Sequence, residues 1–170
     1  MTDWESIVEE YRPLVWQTAY RVLGNEADAA DCFQEAFISA LAVAHREQVR
    51  NWAALLRRLA TTRALDRLRQ RRRQAAHFDA IPEEMPLEGD DPEPFQMAEA
   101  AELSDRLRTA LAHLPEQQGQ VFCLRFLENQ SYREIAKQLG IKTSAVGVLL
   151  HRARGRLREL LNSVLTENEV

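Results

Sequence analysis

The chain is poor in the residues that build tight turns, covalent staples and membrane spans. Six glycines and six prolines in 170 residues are too few for an all-β protein full of turns. Two cysteines, Cys32 and Cys123, cannot make a disulfide framework, and that usage fits a reducing cytoplasm. No apolar run reaches the roughly 20 residues that cross a bilayer as a helix, so no membrane insertion is expected. The opening MTDWESIVEEYR lacks the basic-then-apolar order of a secretory signal. Four histidines (His45, His77, His113, His151) are scattered without metal-ligand spacing, and there is neither a Gly-rich phosphate loop nor a nucleophile elbow. No metal site and no cofactor is expected, and the chain reads as a non-enzyme of cytoplasmic type.

What is present is helix-forming. The sequence is 45% hydrophobic and 28% charged, with Ala, Leu, Arg, Glu and Gln prominent, so it can bury a core and favours α-helix. The net charge of −4 conceals three blocks: residues 1–76 balance at +2, 77–105 at −10 and 106–170 at +4. This predicts an all-α chain of two small helical domains, 1–76 and 98–170, joined by an acidic linker over 77–97. The linker reading rests on DAIPEEMPLEGDDPEPF, with four Pro, one Gly and seven acids, a self-repelling composition with little helical periodicity.

The first block predicts three helices. Trp4, Ile7, Val8, Tyr11, Leu14, Val15, Thr18 and Val22 recur at helical spacing, with a kink or short break expected at Pro13. Gly24-Asn25 closes that helix, and Asn25 can cap the next, whose stripe is Ala29, Cys32, Phe33, Ala36, Phe37, Ala40 and Leu41. A third runs from about Asn51 to Arg73, with Trp52, Leu55, Leu56 and Leu59 inward; Leu65 and Leu68 fall off its stripe.

The sharpest motif lies in the second block, YREIAKQLGIKTSAVGVLL (Tyr132 to Leu150). A helix-turn-helix needs a small residue at the crossing, a glycine in the turn and apolar residues facing a shared core. Ala136, Gly140 and the set Ile135, Leu139, Ile141, Val146 and Leu149 meet those needs. Ser131 with Glu134 makes a capping box, and Thr143 or Ser144 can cap the second helix. An ordinary helical hairpin is the bland reading; DNA binding is favoured because Arg152, Arg154, Arg156 and Arg158 follow directly and could hold phosphates.

Two further charged features stand in the first block. Arg57 to Arg73 carries eight arginines against Asp66 alone, without the interspersed glutamates of a solvated helix. Nucleic acid is the favoured partner, and an acidic protein surface the alternative. Asp28, Asp31 and Glu35, with Gln34 beside them, share one stripe of the second helix, which on composition alone is a solvated face.

In this order the motifs resemble an extracytoplasmic-function sigma factor of the sigma-70 family. DAADCFQEAF (Asp28 to Phe37) is similar to the family's region 2.2, NWAALLRRLATTRALDRLRQRRR to regions 2.3 and 2.4, and ALAHLPEQQGQVFCLRFLENQSYREIAKQLGI followed by LHRAR to region 4. The resemblance implies a transcription initiation factor that binds core RNA polymerase and directs it to promoter DNA. Asp28, Asp31, Gln34 and Glu35 would dock on the beta-prime clamp helices. His45, Arg46, Glu47, Gln48, Val49, Arg50 and Asn51, with Arg63, Arg67 and Arg69, would read and open the minus-ten element. Tyr132, Arg133, Thr143, Ser144, Val148, His151, Arg152 and Arg154 would dock the minus-thirty-five element, and the apolar flank of that domain would meet the beta flap. An anti-sigma factor is the expected regulator. The chain departs from the family pattern at Thr61-Thr62, where Arg-Asn is usual, at Gly119, where Arg is usual, and at Ala145 to Leu149 in the recognition helix. A stand-alone helix-turn-helix regulator and a helical adaptor are the other classes; the first leaves Asp28 to Arg73 unused, the second leaves the arginines unused.

Overall fold

A computed structural model of the chain describes residues 2–77 and 94–167, with side chains for 2–76 and 99–163. The acidic tether falls mostly on 78–93, outside the described residues. Seven helices follow in order: α1 (Trp4–Leu23), α2 (Glu26–Ala44), α3 (Trp52–His77), α4 (Pro94–Leu111), α5 (Glu116–Phe126), α6 (Tyr132–Leu139) and α7 (Thr143–Glu167). The fold is all-α.

Local chemistry sets most of the helix ends. Asp3 caps α1 by accepting from the Ser6 amide at 3.3 Å. Gly24 ends α1 at φ 72° and returns its N–H to the Tyr20 carbonyl, a left-handed geometry that costs glycine little. A Cβ there would also collide with the Arg108 guanidinium. Asn25 caps α2 by accepting from the Asp28 amide at 2.9 Å. Of the kink or short break expected at Pro13, the break does not occur: α1 is one helix through it. Pro13 lies on the exposed face, where water can satisfy the carbonyl that its missing N–H leaves open. Two boundaries differ from expectation as well. α3 continues past Arg73 to His77, and α4 begins at Pro94, inside the stretch read as tether; proline suits a first helical turn, whose N–H groups have no partner anyway.

Three apolar clusters form the core. One lies under α1, α2 and α3, with Ile7, Val15, Phe37, Leu55 and Leu56 buried and Trp4 and Trp52 packed on them. Another joins α5, α6 and α7 through Val121, Leu124, Ile135, Val146 and Leu150. The third crosses between the two halves, setting Val22, Leu23, Leu65 and Leu68 against Leu111, Leu114, Cys123 and Leu157. Leu65 and Leu68, off-stripe in the sequence, are 1% and 4% exposed because α3 buries a second side against the C-terminal half. Each such leucine contributes about 2 kcal/mol relative to solvent exposure. Both cysteines are buried, and burial pushes each thiol up to about 12. They stay protonated at neutral pH, as thiols buried in apolar surroundings do.

Candidate nucleic-acid interface

The acidic stripe of α2 and the arginines of α3 turn toward each other. Arg67 Nε donates to Asp28 Oδ1 at 3.2 Å and its Nη2 to Asp31 Oδ2 at 2.7 Å. Arg71 pairs with the other oxygen of Asp28 and donates to the Leu23 carbonyl at 3.3 Å. Partial burial, and then the neighbouring Arg108, lower its pKa. Arg63 reaches Ser39 of α2 at 2.9 and 3.2 Å, and Arg69 reaches Asp66 at 3.2 Å. Asp28 is therefore a clasp between α2 and α3, its side chain 20% exposed, whereas Asp31 remains 56% exposed. Glu35 and Gln34 are both exposed. Gln34 borders a groove of about 430 Å³ between α1 and α2, lined also by Arg12, Pro13, Trp16, Ala30 and Phe33.

The loop before α3 is exposed over His45 to Gln48 and at Arg50. Val43 anchors its start, its carbonyl accepting from the amides of Arg46 and Glu47, each at 3.0 Å. Val49 tucks against the aromatic cluster around Trp52, where Trp4 meets Trp52 edge-on at 5.8 Å. Asn51 takes a structural part, its side chain accepting from the Ala54 amide at 3.0 Å and so capping α3. The loop thus offers exposed polar side chains on a rigid aromatic base.

In the C-terminal half the helix-turn-helix forms as the spacing predicts. Ser131 accepts from the Glu134 amide at 3.1 Å and Glu134 returns the bond to the Ser131 amide at 2.7 Å. Gly140 turns the chain at φ 65°, and Ile135, Ala136 and Val146 are buried at the crossing. The start of α7 differs from expectation. Thr143 is already helical, and the Lys142 carbonyl takes the first helical bond, from the Val146 amide at 3.2 Å. Lys142 holds the capping place, which leaves Thr143 and Ser144 exposed on the first turn. Arg133, Val148, His151, Arg152 and Arg154 are exposed too, and Tyr132 is 40% exposed. Arg154 lies over the Phe126 ring at 4.6 Å, and Arg125 over Tyr132 at 5.3 Å, contacts that hold guanidinium groups in place without neutralising them. Behind α7, Leu107, Phe122, Leu157 and Leu161 line an apolar groove of about 420 Å³ with Arg154 and Arg158 at its edge.

One group that sequence reasoning passed over is Glu128, in the turn after α5. Its side chain is 3% exposed, and it sits 3.4 Å from both Arg21 of α1 and Arg57 of α3. Nothing local in LENQ marks it, since its partners lie 107 and 71 positions earlier. Among the described residues, no three His, Cys, Asp or Glu side chains gather as a metal would require, and no helix is long and apolar enough to cross a membrane.

Comparison with known proteins matches two family models to this chain: Sigma-70 region 2 over residues 7–74 and Sigma-70, region 4 over 104–157. The chain is 33% identical over 162 residues to the ECF RNA polymerase sigma factor SigE of Mycolicibacterium smegmatis, covering 95% of this chain but 62% of that protein. It is 28% identical over 165 residues to the ECF RNA polymerase sigma factor SigW of Bacillus subtilis, covering 93% and 88%. The fold is similar to that of the sigma factor RpoE solved with the anti-sigma factor NepR from Bartonella quintana, with a TM-score of 0.54, 21% identity and coverage of 95% and 98%. It is equally similar to CnrH solved with the cytosolic domain of CnrY, with a TM-score of 0.56, 21% identity and coverage of 94% and 88%.

Proposed function

This chain belongs to the sigma-70 family, among the extracytoplasmic-function sigma factors, and from that premise we propose that it binds core RNA polymerase in the cytoplasm and directs it to promoters. The observation that carries this reading is the pairing, in one chain and in order, of a region 2 block with a region 4 helix-turn-helix. Asp31, Gln34 and Glu35 form the face offered to the beta-prime clamp helices, with Asp28 holding that face onto α3. The loop from His45 to Arg50 captures an unpaired base of the minus-ten element. Base capture costs a few kcal/mol of unstacking, offset by stacking and by phosphate contacts from the flanking arginines. Arg63, Arg67 and Arg69 belong to this reader, and reaching the strand exchanges their bonds to Ser39, to Asp28 and Asp31, and to Asp66 for phosphate contacts.

Upstream, α7 docks the minus-thirty-five element. Tyr132, Arg133, Arg152 and Arg154 hold phosphates, while Thr143, Ser144, Val148 and His151 face base edges from the first turns of the recognition helix. Val148 can meet a thymine methyl. The apolar groove behind α7 is the seat for the beta flap. Both solved relatives named above were captured with protein regulators, which supports an anti-sigma factor as the regulator of this chain as well.

The test is transcription in vitro from genomic DNA with core polymerase, mapping the start sites with and without this protein. Start sites that appear only on its addition and share two upstream elements are expected, together with stoichiometric co-elution with core polymerase. Duplex binding with no association to core polymerase would instead make the chain a stand-alone regulator.

A further inference from the structure

Arg21 and Arg57 come from different helices, α1 and α3, and converge on one carboxylate that neither helix supplies. Glu128 reaches them from the other half of the chain, 3% exposed, with Arg21 and Arg57 at 3.4 Å from its Oε1 and Oε2 respectively. The turn that carries it is fixed on both sides. Arg21 also donates to the Leu127 carbonyl at 3.4 Å, Asn129 adopts φ 52°, and Arg125 donates to the Gln130 carbonyl at 3.0 Å. Two guanidinium groups converge on one anion, each through a single nitrogen, and guanidinium pairs with a carboxylate and a phosphate alike.

The surrounding contact is built for close approach and for release. Gly119 lets α5 lie on α3: a Cβ there would stand 3.3 Å from Leu65 Cδ1 and 3.6 Å from Arg69 Nη2. Beside it Gln120 donates to the Thr62 hydroxyl at 3.3 Å. Thr62 and Gly119 therefore lie at one surface between α3 and α5. That surface also buries a polar atom without a hydrogen-bond partner, Arg69 Nη2 beside Gly119. A group of this kind regains water when the surface opens, so it lowers the cost of separation.

We propose that Arg21 and Arg57 form a phosphate-binding site for nucleic acid, which Glu128 occupies as an internal stand-in while the two halves are closed. The inference rests on the sigma-factor reading for its biological setting, but not for its test. With the halves apart, the same guanidinium pair is exposed to the phosphates of a strand running along α3. Closed, the chain holds a carboxylate there and has little affinity for DNA by itself.

The experiment uses the full chain, without polymerase, and a short DNA of arbitrary sequence as probe, in duplex and single-stranded form. Three forms are compared by fluorescence anisotropy across a salt series: wild type, Glu128→Gln, and Arg21→Gln/Arg57→Gln/Glu128→Gln. Glutamine keeps the shape of glutamate and removes its charge, and circular dichroism checks that helix content is kept. Glu128→Gln is expected to bind about tenfold more tightly at low salt, with a log–log salt slope steeper by about 2, one unit for each guanidinium that gains a phosphate. The triple variant should fall back to the wild-type affinity and slope. Small-angle scattering should give a larger radius of gyration for both variants. If Glu128→Gln binds as wild type does, or if the triple variant binds as tightly as Glu128→Gln, the phosphate site is refuted. Failure of the wild-type chain to bind core polymerase would refute the sigma-factor reading and leave this result standing.

Discussion

α3 holds eight arginines between Arg57 and Arg73, and α7 holds four between Arg152 and Arg158. In α3 most are spent inside the molecule: Arg57 on Glu128, Arg63 on Ser39, Arg67 on Asp28 and Asp31, Arg69 on Asp66, Arg71 on Asp28, and Arg72 on His113. In α7 all four are exposed, and Arg154 lies over an aromatic face. A run of positive charge is thus two different objects. Where the fold sets carboxylates opposite, arginine fastens helices together; where it does not, the charge remains available to a polyanion. Composition alone cannot separate these, because the deciding carboxylates lie on other helices.

Four changes would break or sharpen that contrast. The largest effect is expected from Leu65→Ala, which removes a buried side chain from the face of α3 that meets α4 and α5. It should cost about 3 kcal/mol, read by thermal or denaturant unfolding, and should move one cooperative transition for the whole chain. Two transitions of which only one moves would mean that α3 does not tie the halves together.

Smaller, and opposite in kind, are the effects of removing arginines from each helix. Arg67→Ala loses two ion pairs at a site that is 30% exposed, and it should cost about 1 kcal/mol of stability after allowance for solvent screening. Arg152→Ala with Arg154→Ala should leave stability within about 0.5 kcal/mol. It should instead weaken promoter docking uniformly across sequences and flatten its salt slope by about 1 per arginine. A stable Arg67 variant, or an α7 double variant with an unchanged salt slope, would erase the distinction between fastening and available arginines.

The smallest effect is a dependence on pH at the junction. Arg72 donates to His113 Nδ1 at 2.9 Å, so the ring must be neutral to accept. Partial burial, and then the charges of Arg72 and Arg156, lower the pKa of His113 below its usual 6.5. Between the lowered value and 6.5 the unfolded chain binds more protons than the folded one. This contribution to stability is therefore complete above 6.5 and lost as the pH falls through that window. His113→Gln should flatten the acid limb of a melting-temperature profile in this range; an unaltered profile would show that the ring contributes nothing there.

Much of the local structure could be read residue by residue. The Asn25 cap, the Gly24 and Gly140 turns and the Ser131–Glu134 box are short-range chemistry between neighbours in sequence, and the helix-turn-helix core follows from spacing within about two turns. The family motifs were legible for the same reason, since each is a contiguous string. Pro13 misled because a helix break depends on whether the freed carbonyl can reach water, which is a property of the face it lies on. Lys142 in the capping place misled because side-chain preference gave way to the geometry of the turn. Leu65 and Leu68 had no assignable partner, since a stripe analysis gives each helix one buried side and α3 has two.

The sequence by itself determined the helices, their order and the two motif-bearing blocks, because propensity, capping and helical periodicity act between residues a few positions apart. Only the tertiary structure decided that the blocks pack through Leu65, Leu68, Leu111 and Leu114, that Asp28 is a clasp for Arg67 and Arg71, and that Glu128 sits between Arg21 and Arg57. Each of these joins residues from about 40 to more than 100 positions apart. Coulombic and apolar contacts depend on distance in space, and that distance exists only once the chain has closed.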